Sequence, residues 1–251
     1  RPADDALAVQ ISATGCVHAA TPCGDDAQAD ANARLQVMAQ TQALLWRRPV
    51  ATITAGGTIH ACAPATIANA DSRTPGWWAH AGGALASTCA APALVSGVAG
   101  SSAASHSSDS LLATRATASD TFFATWFGTP LAHYRAVACQ VAGDTAGVRG
   151  GDMRRLFNEG CRRFIVDDDI AFDSDMTLGS ADDPVALVLM ARATFAGAAT
   201  VHGLIYANAP DAAALQWAQL RWRGAVIARG AVLINSAIDG QFDDAVLQRL
   251  A

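Results

Sequence analysis

The chain is expected to be α+β and β-rich, with short helices in its N-terminal half and a C-terminal β-solenoid-like or meander sheet. Three observations predict this. After Cys161, short apolar runs recur with small or turn residues between them. Two of these runs, His202-Gly203-Leu204-Ile205-Tyr206-Ala207 and Arg223-Gly224-Ala225-Val226-Ile227-Ala228, align with each other at a shift of 21 residues. Before Cys161, by contrast, apolar residues fall at helical spacing and are bracketed by cap and stop residues. The expected division is an α+β region over 1–118 and a β-rich region over 119–251.

In the N-terminal region, Leu35, Met38 and Leu45, with Val37 and Leu44, predict a helix from Asp30 to Trp46. Asp25 or Asp26 would cap its start, and Arg47-Arg48-Pro49 would close it with a basic turn and a proline. Val50 to Ile53 and Thr58 to Cys62 read as β-like runs joined in a hairpin by Gly56-Gly57. Thr74-Pro75-Gly76-Trp77-Trp78 marks a loop that leads into a small-residue segment ending at Cys89. The stretch 97–110 is rich in Ser, Ala and Gly and reads as an exposed loop. It holds Ser105, His106 and Asp109, the residue types of a hydrolase triad. No strand–turn–helix nucleophile elbow surrounds these serines, so the loop is read as solvated rather than catalytic.

Ser119 or Asp120 should cap a short helix carrying Phe122, Phe123, Trp126 and Phe127, stopped by Gly128 with Pro130 beyond. The i, i+4 spacing of these rings predicts burial in a core; a ligand-stacking platform is the other use of such a cluster. A second short helix is expected from Asp152 to Glu159, ending at Gly160. Strands follow at Phe164–Val166, Ile170–Phe172, Met176–Leu178, Val185–Met190, Ala193–Phe195, Thr200–Tyr206, Gly224–Ala228 and Ala231–Ile234. Short strands and glycine corners at a period near 20 are the pattern of a parallel β-solenoid, whose coils bury their apolar side chains only by stacking. An antiparallel meander is the alternative arrangement.

Composition narrows the functions. Of 251 residues, 51% are hydrophobic and 16% charged, so disorder over most of the length is excluded. The net charge of −5 argues against a phosphate-tracking surface and hence against nucleic acid. Alanine is the commonest residue, lysine is absent and Glu159 is the only glutamate, a skew that points to a GC-rich genome rather than to a function. The longest apolar run, Val185 to Ala191, is far short of the ~20 residues a membrane helix needs. The sequence opens on Arg1-Pro2-Ala3-Asp4-Asp5, and an upstream segment is expected to have been removed.

Six cysteines, Cys16, Cys23, Cys62, Cys89, Cys139 and Cys161, form an even set with no Cys-x-x-Cys spacing. Disulfides in an oxidising compartment are the first reading. Pairing of neighbours is one of the 15 connectivities that six cysteines allow. Zinc at Cys16-x-His18 with His60-x-Cys62, and buried free thiols, are the others.

Gly179-Ser180-Ala181-Asp182-Asp183-Pro184-Val185-Ala186-Leu187-Val188 resembles the C-terminal region of type IV pilus assembly proteins of the PilX kind. So do Ala199-Thr200-Val201-His202-Gly203-Leu204-Ile205-Tyr206 and Arg223-Gly224-Ala225-Val226-Ile227-Ala228-Arg229-Gly230. Upstream, Phe122-Phe123-Ala124-Thr125-Trp126-Phe127-Gly128 and Tyr134-Arg135 share the likeness, which covers 119–251. The resemblance implies a minor pilin-like subunit, anchored by an N-terminal apolar helix that this sequence lacks. Such a subunit scaffolds pilus initiation or the pilus tip and contacts other minor pilins or a tip adhesin. It also implies a periplasmic and inner-membrane location before assembly and the cell surface after it, with membrane contact only through that helix.

No catalytic, cofactor-binding or metal-binding residues are expected. Asp167, Asp168, Asp169, Asp173, Asp175, Asp182 and Asp183 form an acidic cluster with a fragment of calcium-loop spacing at Asp173-x-Asp175. The glycine and glutamate that complete such a loop do not follow, and solvated turns account for these aspartates as well. Gly147 to Gly151 lacks the strand and Lys-Ser/Thr ending of a phosphate loop. Trp77, Trp78, Trp217 and Trp222 are candidate contact anchors. Two further functional readings are a secreted carbohydrate-binding or adhesive solenoid and a polysaccharide-acting enzyme built on paired carboxylates.

Overall fold

The computed structural model describes residues 8–17, 31–40, 43–61, 65–86, 94–96, 104–141, 150–172, 175–195, 197–209, 215–217, 220–234, 236 and 238–251. It divides into two units, Arg1–Ala43 and Leu44–Ala251. In the first unit β1 (Ala8–Val17) and β2 (Ala31–Gln40) pair antiparallel, with Ala8 opposite Gln40 and Val17 opposite Ala31. β2 replaces the helix expected over 30–46. Leu35 and Met38 fit a helical face, but Ala31, Ala33, Leu35, Val37 and Ala39 also alternate with mostly polar neighbours, and the period of two prevails.

Residues 44–251 coil into a parallel β-solenoid. Its first coil is β3 (Ala51–Ala55), β4 (Ile59–Ala61) and β5 (Thr66–Asn69); its second is β6 (Trp77–Ala81), β7 (Leu85–Ala86) and β8 (Leu94–Ser96). β9 (Ala104–His106) begins a third. Three short helices interrupt the coiling: α1 (Ser110–Ala116), α2 (Ser119–Phe127) and α3 (Leu131–Val137). β10 (Cys139–Val141) and α4 (Gly150–Asn158) precede the second run of coils. That run comprises β11 (Arg163–Val166), β12 (Ile170–Phe172), β13 (Met176–Leu178), β14 (Val185–Leu189), β15 (Ala193–Phe195) and β16 (Ala199–Ala207). It continues through β17 (Leu215–Trp217), β18 (Leu220–Ala228), β19 (Val232–Ile234) and β20 (Asp239–Phe242), and α5 (Asp244–Gln248) follows.

The stacking order is not the chain order. Along one face the strands run β10-β11-β14-β16-β18-β3-β6-β9, every pair parallel. The last coil of the chain therefore lies against its first: β18 pairs β3, β19 pairs β4 and β20 pairs β5. The strands of this stack come from both sides of residues 118/119. The Gly56-Gly57 hairpin is also corrected: β3 and β4 lie on different faces and each pairs with the coils above and below. Those glycines turn a corner instead.

The strands expected after Cys161 are present within two residues of their expected bounds except β18, which extends back to Leu220. The 21-residue alignment is the physical register, His202 opposite Arg223 and Tyr206 opposite Ile227. Gly203 and Gly224 are paired in it, and both bend their strands at a corner with φ of 138° and 133°. A Cβ on Gly203 would lie 1.9 Å from the Val185 oxygen, and one on Gly224 2.0 Å from the Gly203 oxygen. Only glycine meets both demands.

Two apolar layers hold the stack. Inside the coils, Ile53, Phe164, Phe172, Leu187, Phe195, Ile205, Trp222 and Val226 are sequestered, and Phe172 and Phe195 stack in register with ring centroids 4.6 Å apart. Outside, α2 and α3 cover the face bearing Ile165, Val188, Tyr206 and Ile227. Phe122, Phe123, Trp126 and Phe127 are all buried there, as their spacing predicts. Each such ring or aliphatic chain contributes about 1.5–3 kcal/mol by leaving water. β14 is buried on both sides because it lies between these layers, whereas β13 and β15 keep one side toward solvent. No side chain caps α2: Ala118 is its N-cap and Ser119 its first residue, while Gly128 ends it left-handed at φ 67°.

Candidate functional site

At the β9 end of the stack, register assembles a cluster of two imidazoles and a carboxylate. Parallel neighbours in a sheet sit roughly 4.8 Å apart, and the β6–β9 pairing sets His80 opposite His106. Ala79 and Ala81 are wholly buried in the coil interior, so His80 between them faces outward. The imidazoles meet edge to face, centroids 5.2 Å apart, and the Trp77 ring lies flat against His106 at 4.8 Å.

The third group arrives with α1. After β9 the chain turns at Ser108, whose φ of 59° is left-handed. The turn is tied down by Ser108 N–H donating to the Gly83 oxygen at 2.8 Å and Asp109 N–H to the Ala81 oxygen at 3.1 Å. Asp109 is the N-cap of α1. Its Oδ1 accepts from the amides of Leu111 and Leu112, both at 3.0 Å, and its Oδ2 lies 2.8 Å from His80 Nε2. Those amides and the His80 ring hold the Asp109 carboxyl below its ordinary range, with Leu112 the largest influence. Small residues let α1 sit this close: a Cβ on Gly82 would lie 2.7 Å from Ala113 N. One ligand atom from each of His80, His106 and Asp109 falls within 4.8 Å of the others. Thr54, in the next coil and opposite His80, is fully buried with no partner for its hydroxyl.

This corrects the reading of 97–110 as a loop throughout, since Ala104–His106 form a strand and Asp109 caps a helix. Of the triad-type residues there, His106 and Asp109 come together, while Ser105 pairs with Ala79 and alternates to the other side of the strand. His80 has no sequence signal of its own, because the register that places it depends on coils 26 residues apart.

The other candidates do not converge. Asp167 pairs with Arg135 at 2.5 Å, Asp182 with Arg249 at 2.8 Å and Asp183 with Arg162 at 2.5 Å. Asp169 accepts from Arg192 N–H and Asp175 from Ala198 N–H, each linking one coil to the next 23 residues on. Asp168 is exposed, and Asp173 lies outside the described residues. Asp167, Asp169, Asp175, Asp182 and Asp183 therefore work as separate fasteners. Trp78 and Trp222 are buried, Trp77 belongs to the histidine cluster, and the Trp217 side chain lies outside the described residues. Cys139 and Cys161 are joined by a disulfide that ties β10 to the loop before β11. Pairing of Cys16, Cys23, Cys62 and Cys89, and the zinc alternative at Cys16 and His18, lie outside the described side chains.

No protein family, curated protein or solved structure matches the chain.

Proposed function

We propose that the chain is the extracytoplasmic body of a minor pilin-like component of a type IV pilus, a non-enzymatic scaffold that contacts other minor pilins or a tip adhesin. The observation that carries the reading is where the pilus-like segments fall. Residues 179–188, 199–206 and 223–230, which carry the resemblance, become consecutive strands β14, β16 and β18 of one ladder. The segment 122–128 becomes the helix packed across that ladder. These segments thus supply corners and core positions of one scaffold. The Cys139–Cys161 disulfide is in keeping with an oxidising compartment. Among the described residues no helix is long and apolar enough to cross a membrane, so an anchor would have to lie elsewhere.

Deletion of the encoding gene, with complementation in trans, tests the proposal. Loss of surface pili on deletion and their return on complementation is the expected result, together with in-cell cross-links from this body to minor pilins. Unchanged piliation without such cross-links would overturn it. Selective capture of one glycan by the purified chain would then favour the adhesive module, and release of reducing ends the enzyme.

A further inference from the structure

We infer that His80, His106 and Asp109 bind a divalent cation of the zinc class at the β9 end of the solenoid. The three donors come from three elements: β6, β9 and the cap of α1. Two imidazoles and one carboxylate are the donor set that borderline divalent ions take, in preference to the all-oxygen shells of calcium or magnesium. The ligand atoms already lie within 4.8 Å of one another. Tetrahedral zinc with bonds of about 2.0–2.2 Å sets its donors roughly 3.3–3.6 Å apart, so the His106 nitrogen would close in while His80 Nε2 and Asp109 Oδ2, now 2.8 Å apart, would part slightly to admit the ion. Most of the movement falls to His106, which is exposed, whereas His80 and Asp109, set by the sheet and by the helix cap, need only the small separation that admits the ion.

Asp109 divides its two oxygens in the way such a site requires. Oδ1 is committed to the helix amides, and Oδ2 is directed at His80 Nε2. In the cation-bound form the neutral His80 ring carries its single proton on Nδ1, leaving the Nε2 lone pair and Asp109 Oδ2 both free to bind the ion; no proton is lost from the neutral ring, only its tautomer changes through solvent. The flat stack of Trp77 on His106 orients the second imidazole. Thr54, the register partner of His80 in the next coil, has a buried hydroxyl with no hydrogen-bond partner. Three protein ligands leave a fourth position for water or for a donor from a bound molecule. Where the proposed pilus role concerns the whole body, this site stands on its own geometry and survives or fails independently of that role.

Titration of the chelator-treated full chain, disulfides intact, with Co²⁺ and Zn²⁺ tests the inference. One equivalent of Co²⁺ should bind and develop visible d–d absorption, Zn²⁺ should displace it, and Zn²⁺ should raise the melting temperature. His106→Ala removes an exposed ligand without touching the core and should weaken binding by at least about 10–100-fold, the range lost even for supporting residues. It should also abolish the thermal shift. Asp109→Asn should weaken binding too, while His133→Ala, on the exposed side of α3, should leave it unchanged. Absence of saturable Co²⁺ or Zn²⁺ binding overturns the inference, as does undiminished binding by a folded His106→Ala variant.

Discussion

Gly160 and Gly203 share a left-handed backbone but not its consequences. Gly160 has φ 99° and open space where a Cβ would go; Gly203 has φ 138° and the Val185 oxygen 1.9 Å from that position. Gly160→Ala should therefore cost only the backbone strain, about 1–3 kcal/mol. Gly203→Ala should cost that and a forced shift of β14 besides. Chemical denaturation of the two variants checks the ordering, and equal losses would refute the close packing of that corner. Ile205 offers a second comparison. It sits between Leu187 and Val226 in the ladder and is fully buried, so Ile205→Ala should lose about 2–5 kcal/mol. Ile205→Asp should lose more, because the charge has no partner inside the coil. His202, half-buried on β16, has its pKa held below the ordinary 6.5, first by burial and then by Arg223, with Asp243 opposing. The fold thus favours the neutral ring. Its contribution to stability is complete above pH 6.5 and lost as pH falls toward the depressed value. Between about pH 7.5 and 5.5 the native chain should lose more stability than His202→Gln, as read from urea midpoints.

Elements were legible in proportion to how local their causes are. Strands after Cys161 could be read because a glycine corner, an apolar run and a small-residue turn repeat within each coil. Before residue 106 the short strands are legible only in part, as at 50–53 and 58–62, because Ser and Ala there carry little hydrophobic contrast. β2 satisfies two periodicities at once, and only its pairing with β1 selects the period of two. α1 and α3 are only seven residues long and hold their positions by packing over the sheet rather than by propensity. Of the histidine cluster, the sequence exposed His106 and Asp109 as neighbours but not His80, whose place depends on long-range register. The disulfide acts at this scale as well. It closes a loop with a sequence separation of 22, which in the chain-entropy account is worth roughly 3 kcal/mol. Cys139→Ser with Cys161→Ser should lower stability by about that much and fray β10 first, visible as faster amide exchange at residues 139–141 than in the parent.

At the scale of the molecule, the decisive feature is the junction where residues 224–242 stack on residues 51–69. Neither run of coils has its full set of neighbours until the other is in place, so both should melt together. Truncation after residue 237 removes β20 and α5 and strips β5 of one of its two partners, leaving only β8. It should therefore destabilise the N-terminal coils as much as the C-terminal ones. A single broadened or shifted transition by circular dichroism, reported equally by probes in β6 and β14, is the expected outcome. Retention of native-like β6 exchange protection in the truncated chain would show the two runs to be independent.

The body is entered and left at one place. Leu45 N–H donates to the Leu250 oxygen at 2.7 Å, so the first and last residues of the 44–251 unit are neighbours. Midway along the stack, those ends are close enough for a short peptide to join them, and the chain could then be cut open between α3 and β10. Such a circular permutant would run from residue 139 through 251, across the link, and on from 44 to 138. Its coils would then follow one another in the order in which they stack, and β18 would meet β3 as a near neighbour rather than across most of the sequence. Because every native contact is kept, the melting temperature should stay near that of the parent. The route to the fold should change, with the sheet zipping from coil to coil and α1 to α3 docking last.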